Sequence, residues 1–229
     1  MKTLGLIGGT SWISTIEYYR LLNEGINARL GGLNYARCVV YSLNYADIAE
    51  INKRQDWDAM FELVGSAAEG VRGAGAEALL LGANTMHLVA ERVQARVNIP
   101  VIHIADATAR AIRAAGLDRI ALLGTRYTME KDFFKNRLTA NGITTIIPND
   151  EDRAFIHATI FDELGKGIFL PESKARYLEI IDRLTGDGAQ GAILGCTEIP
   201  LLIKQADTPV PVFDTTALHV DAAVDFALA

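Results

Sequence analysis

Short apolar runs ending in glycine, each followed by a helical pattern, recur along this chain and leave it few architectures. Leu4 to Ile7 is followed by Gly8-Gly9-Thr10-Ser11 and then by apolar positions at Tyr18, Leu21, Leu22 and Ile26, which reads as strand, tight loop and helix. Further strands are predicted at Arg37 to Ser42, Ala78 to Leu81, Val101 to Ile104, Ile120 to Leu123, Thr144 to Ile147 and Ala192 to Leu194, with helical patterns between most of them. Short apolar strands alternating with amphipathic helices indicate an α/β fold whose parallel sheet is buried on both faces. Ligands of such sheets sit beyond the C-terminal strand ends, so the loops after the strands are where function is expected.

Two strand–loop segments resemble each other: Gly75-Ala76-Glu77-Ala78-Leu79-Leu80-Leu81-Gly82-Ala83-Asn84-Thr85 and Gly188-Ala189-Gln190-Gly191-Ala192-Ile193-Leu194-Gly195-Cys196-Thr197-Glu198. Ala83 is thereby the counterpart of Cys196. A weaker echo pairs Leu6-Ile7-Gly8-Gly9-Thr10 with Leu122-Leu123-Gly124-Thr125. Read as internal duplication, this gives two similar α/β lobes, residues 1–100 plus 212–229 and residues 101–211, with a final helix after Asp214 returning to the first. Halves facing one another would gather the four loops around one cleft, Cys196 on one wall and Ala83 opposite. Gly-ended apolar strands recur in every α/β protein, so short matches of this kind also arise without duplication.

Composition narrows the function classes. A net charge of −6 with scattered Lys and Arg gives no footprint for nucleic acid or an acidic membrane face. The start of the chain has one basic residue and too short an apolar run for a signal peptide, and no apolar stretch approaches a membrane span of ~18–20 residues, so a cytoplasmic protein is expected. Neither Gly-x-Gly-x-x-Gly nor a P-loop is present, which removes support for a nucleotide cofactor. Cys38 and Cys196 are the two cysteines, too few for a disulfide framework and without partners at zinc-ligand spacing. No metal or cofactor is expected.

Cys196 follows a buried-looking strand and precedes Thr197, Glu198, Ile199 and Pro200. Its side chain should emerge beside backbone N–H groups of the next turn, a setting that lowers a thiol pKa from roughly 8.5 and suits a nucleophile or general base. From position alone the thiol is equally a packing group, since lone cysteines are among the most buried residues. Ser11, Asn84, Thr85, Thr125, Thr128 and Thr197 place uncharged donors in the same loops, fit either to cradle a carboxylate or simply to cap helices. Glu198, Asp214 and His219 are candidates to polarise the thiol from behind, and His87 lies just past Asn84-Thr85.

These residues carry a resemblance. Gly-Gly-Thr-Ser-Trp-Ile-Ser-Thr (8 to 15), Asn-Thr-Met-His (84 to 87), Leu-Leu-Gly-Thr-Arg-Tyr-Thr-Met (122 to 129) and Leu-Gly-Cys-Thr-Glu (194 to 198) are similar, in order and spacing, to the aspartate/glutamate racemase family. The resemblance implies two α/β lobes related by a pseudo-twofold axis. It also implies proton chemistry at the substrate Cα without pyridoxal phosphate, in which one cysteine from each lobe serves as acid or base. Cys196 matches the second cysteine, and Ala83 stands where the first would be. The broad-specificity amino-acid racemases of enteric bacteria resemble this chain and carry threonine at that position. A racemase here needs water or another group, such as Thr85 or Ser11, in place of the first thiol.

By resemblance Asn84, Thr85 and Thr197 hold the α-carboxylate, and Thr10 and Asn52 lie against the ligand. Arg54 and Lys166 are the nearest counterparts of the family's basic residues for a distal carboxylate, although the expected lysine falls at Gly165. The resemblance implies a small amino acid or carboxylate as substrate, and a homodimer is expected by analogy. Two other readings stay open: an arylmalonate-type decarboxylase, which needs one cysteine only, and a small-carboxylate binding protein without turnover.

Overall fold

The computed structural model describes residues 1–229. It divides into two compact units, Met1–His103 with His219–Ala229 and Ile104–Leu218. The expected boundary put residues 212–229 with the first lobe; the return falls at His219, and residues 212–214 pair within the second sheet.

In the first unit β1 (Leu4–Gly8), α1 (Trp12–Leu30), β2 (Cys38–Ser42), α2 (Tyr45–Arg54), α3 (Trp57–Gly73) and β3 (Ala78–Leu81) are followed by a 3₁₀ turn (Asn84–Val89) and α4 (Ala90–Val97). The strands pair in parallel in the order β2-β1-β3. Leu4, Leu6, Ala78 and Leu80 face Tyr18, Leu22 and Ile26 of α1, whereas Ile7, Leu79 and Leu81 face Met60, Val64 and Val71 of α3. Both sheet faces are covered, which is why β1 and β3 are apolar throughout rather than alternating.

The second unit holds α5 (Ile104–Ala114), β4 (Arg119–Gly124), α6 (Arg126–Glu130), α7 (Asp132–Ala140), β5 (Thr144–Ile146), α8 (Asp150–Asp162), α9 (Pro171–Gly186), β6 (Ala192–Gly195), α10 (Ile199–Leu202) and β7 (Val212–Asp214). The last helix, α11 (Thr215–Leu228), begins here and ends in the first unit. The sheet is parallel in the order β5-β4-β6-β7 around one apolar cluster that includes Leu122, Ile156, Tyr177 and Ile193.

Taken strand by strand, β2-β1-β3 and β5-β4-β6 have the same order and the same parallel sense. The α/β fold of two parallel sheets expected from the sequence is therefore present. One predicted strand is corrected: Val101–Ile104 contributes a single bridge, Leu79 to Val101, and Ile104 already begins α5. Pro100 has no N–H to donate, so pairing cannot extend backwards through it. In the second unit the matching position beside β6 is taken by β7, which the sequence reading did not list as a strand.

Candidate active site

The two units each bring a pair of loops together at the C-terminal ends of their strands. In the second unit Gly124 and Gly195 are register partners, and a Cβ on Gly195 would sit 2.7 Å from the Leu123 carbonyl oxygen, so only glycine allows this approach. Thr125 and Cys196 follow directly. Thr125 caps α6, its hydroxyl accepting from Thr128 N at 3.3 Å and lying 3.2 Å from Thr128 Oγ1; both threonines are buried. These two groups are therefore engaged in capping, whichever further role they have.

Cys196 is buried, and its thiol donates to Glu198 Oε2 at 2.9 Å. The Thr197 hydroxyl donates to the same oxygen at 2.7 Å, so one buried carboxylate oxygen accepts two hydrogen bonds from its neighbours. Burial, followed by the charge of Glu198 and this hydrogen bond, pushes the thiol well above its ordinary range. The expected lowering is thus overturned. The backbone N–H groups of Thr197 and Glu198 do pull in the expected direction, but they are outweighed. Behind the thiol, Tyr177 is held as a phenol by burial and by the acidic groups Cys196, Glu163 and Glu198, and its hydroxyl donates to the Ile156 carbonyl at 3.3 Å.

Of the three groups expected to polarise Cys196, Glu198 is the one that touches it. Asp214 Oδ1 accepts from Thr216 N at 2.9 Å and Ala217 N at 3.1 Å, which caps α11. His219 belongs to the first unit: its Nε2–H donates to the Ile102 carbonyl at 2.6 Å, which leaves Nδ1 to accept from Tyr18 Oη at 2.9 Å. Burial lowers its pKa to about 4, so the ring is neutral. What separates Glu198 from the other two is its place two residues after the thiol, on the same turn.

In the first unit the β1 loop and the β3 loop meet where Thr10 Oγ1 contacts Met86 Sδ at 3.7 Å. Ala83 is half-buried at the start of the 3₁₀ turn, and its carbonyl accepts from His87 Nδ1 at 3.1 Å. His87 packs edge-on against His103 and His219, with ring centroids 4.6 and 5.4 Å away. Asn84, Thr85 and Ser11 are buried in these loops and Asn52 is buried in the last turn of α2. Gly9 has φ 87°, and any side chain there would overlap the Leu43 backbone, so the loop is pressed against the end of β2.

The two candidate cations both lie on the surface. Arg54 is exposed, 3.8 Å from Glu50 on its own helix, and Lys166 is exposed, 3.7 Å from Asp162. No Lys or Arg is buried, and no group of three or more His, Cys, Asp or Glu side chains is placed to hold a metal ion.

Residues 7–223 match the family described as Asp/Glu/hydantoin racemase. This chain belongs to that racemase family. Among solved structures, a Yersinia pestis protein carrying a provisional Asp/Glu racemase name is 47% identical over the full length of both chains, with a TM-score of 0.93. An aspartate racemase homologue from Pyrococcus horikoshii OT3 is 35% identical, also over both full chains, at 0.87. A broad-specificity amino-acid racemase of Bacillus subtilis is 22% identical over 99% of this chain and 98% of its own. In this racemase-family chain Ala83 follows β3 and Gly82 as Cys196 follows β6, so Cys196 is the one thiol of the two positions.

Proposed function

We propose that this racemase-family chain is an amino-acid racemase that works without pyridoxal phosphate, with Cys196 as its thiol acid/base and Glu198 as the carboxylate that governs it. The observation that carries the reading is the buried hydrogen bond from Cys196 Sγ to Glu198 Oε2. A thiol with a raised pKa is protonated at neutral pH, ready to deliver a proton to a carbanion at Cα. Once it has lost its proton, the same raised pKa makes the thiolate a stronger base, which narrows the gap to a weakly acidic Cα–H. Burial, and Glu198 after it, thus set both the resting proton on sulfur and the basicity of the thiolate.

Inversion also requires a second proton carrier, and the Ala83 methyl cannot be one. Water, Thr85 or Ser11 is the proposed substitute. Asn84, Thr85 and Thr197 are the proposed α-carboxylate donors, with Thr10, Asn52, Thr125 and Thr128 as further polar contacts. Lys166 is the proposed contact for a distal carboxylate, and because the family's lysine falls at Gly165 the proposal does not extend to selectivity for acidic side chains.

The test is proton NMR in D₂O with a panel of L- and D-amino acids, wild type beside Cys196→Ala. Loss of the α-proton signal together with inversion, abolished in the variant, is the expected outcome. No exchange for any amino acid overturns the reading. The single thiol at this site also favours a decarboxylase reading, because protonating an enediolate needs one donor only; CO₂ release from an arylmalonate with amino acids untouched would select it.

A further inference from the structure

We propose that His157 is a positioning residue: its neutral ring latches the start of α6 and, through α6, seats the backbone that carries Cys196. A helix leaves its first N–H groups without carbonyl partners, and its N-cap side chain reaches the second or third of them. Thr125 accordingly takes Thr128 N, the third amide of α6. The first amide, Arg126 N, donates instead to His157 Nδ1 on α8 at 3.2 Å, across 31 positions of the chain. A backbone N–H can only donate, so Nδ1 must accept, and the ring hydrogen sits on Nε2. The ring is half-buried and lies edge-on to Tyr127 of α6 and Phe161 of α8, with centroids 5.9 and 4.8 Å away.

α6 is five residues long, too short to be stable by itself, so it lies where its ends are tied. Its place matters to the thiol. A Cβ on Gly124 would meet Thr128 Cβ at 3.1 Å, and a Cβ on Gly195 would meet Thr128 Cγ2 at 3.3 Å, so Thr128 rests on both of these register partners. Cys196 is the next residue after Gly195. The contacts thus run from His157 through Arg126 N and Thr128 to the backbone that carries the thiol, all of them inside the second unit.

Protonation undoes the first link, because an imidazolium carries N–H at both nitrogens and has no lone pair to offer Arg126 N. Around the ring stand Arg126, Tyr127 and Glu130 of α6 and Asp162 of α8, with Arg153 of α8 bound to Glu130 at 3.0 Å. Burial and the Arg126 charge hold the ring's pKa below its ordinary 6.5, and Glu130 and Asp162 partly oppose them. The latch is therefore closed at neutral pH and opens in acid.

The inference rests on the racemase reading in taking Cys196 as the group to be seated, but its first test does not need turnover. The probe is ¹⁵N-labelled full-length protein taken from pH 7.5 to pH 5. Solvent exchange of the Arg126 amide, corrected for the intrinsic effect of pH, should rise about fivefold or more with the midpoint of the His157 ring signals. The Thr128 and Cys196 amides should shift with the same midpoint. In His157→Asn, whose side-chain oxygen replaces Nδ1 as acceptor but does not titrate, all three amides should stay flat. His157→Phe keeps a ring against Tyr127 and Phe161 without an acceptor, so its amides should show the released state at pH 7.5, with kcat/KM down about fivefold; His157→Asn should restore both. A ring that titrates without change at Arg126 or Cys196, a His157→Asn protein that titrates like wild type, or an unchanged kcat/KM in His157→Phe would each overturn the proposal. Amides that respond as expected in a protein that exchanges no α-proton would instead remove the racemase reading and leave the latch standing.

Discussion

Cys196 Sγ and Glu198 Oε2 lie 2.9 Å apart, both residues buried, with the thiol as donor. Replacing the carboxylate by an amide removes the second-largest cause of the raised thiol pKa, the charge, and keeps a hydrogen-bonding group of the same shape. The pKa of Cys196 should therefore fall in Glu198→Gln. For the direction of catalysis in which the thiolate is the base, kcat/KM of the wild type should still be rising above pH 9. In the variant that limb should move to lower pH, while the limiting rate drops about tenfold or more because the thiolate is a weaker base. A pH–rate profile unchanged by the substitution would separate Glu198 from the chemistry.

A second prediction concerns position 83. β3 pairs with β1 as β6 pairs with β4, and each runs through one glycine into the residue at issue, Ala83 or Cys196. Introducing the missing thiol as Ala83→Cys should raise the racemisation rate by about 10²-fold, the lower end of what a positioned acid/base supplies. Circular dichroism of the amino acid identified by NMR measures this directly, and a rate at or below wild type would show that another group already fills the role.

Much of this was legible in the sequence, and the failures have physical causes. Continuous apolar strands flanked by glycine announced buried parallel sheets, because a strand covered on both faces cannot alternate. The repeat from 75 to 85 and from 188 to 198 marked the ends of β3 and β6. The proton state of Cys196 was not legible: sequence shows backbone N–H groups ahead and a glutamate two residues on, but which one dominates depends on how Glu198 turns. Nor could it separate Glu198 from Asp214 and His219 as partners. His219 bonds to Ile102, 117 positions away, and nothing local announces that contact. β7 was missed because Val212–Asp214 is only three residues long and becomes a strand through pairing with β6.

The loop before α1 offers a stability test. Gly9 has φ 87°, and an added Cβ would meet the Leu43 backbone rather than a movable side chain. Strain and overpacking then act together, so Gly9→Ala should destabilise the fold by more than about 2 kcal/mol. Urea denaturation of the variant decides it, and a loss below 1 kcal/mol, on the order of a surface change, would show that the loop can move off β2.

The last prediction follows from His219, whose pKa lies at about 4 against the ordinary 6.5 because its ring is buried. Between these values the unfolded chain binds a proton that the folded protein does not, so stability is full above pH 6.5 and declines as pH falls toward 4. Roughly 2.5 pH units at about 1.4 kcal/mol each give a loss on the order of 3 kcal/mol across that window. In His219→Gln this contribution disappears. The variant should be less stable than wild type at pH 7.5, because the bonds to Tyr18 and the Ile102 carbonyl are weakened, yet its stability should fall less steeply between pH 6.5 and 4.5. Urea midpoints across that range test the difference in slope. Parallel slopes would mean that the folded protein admits a proton on His219 by opening the α11 contact, so that the buried ring is not what limits stability in acid.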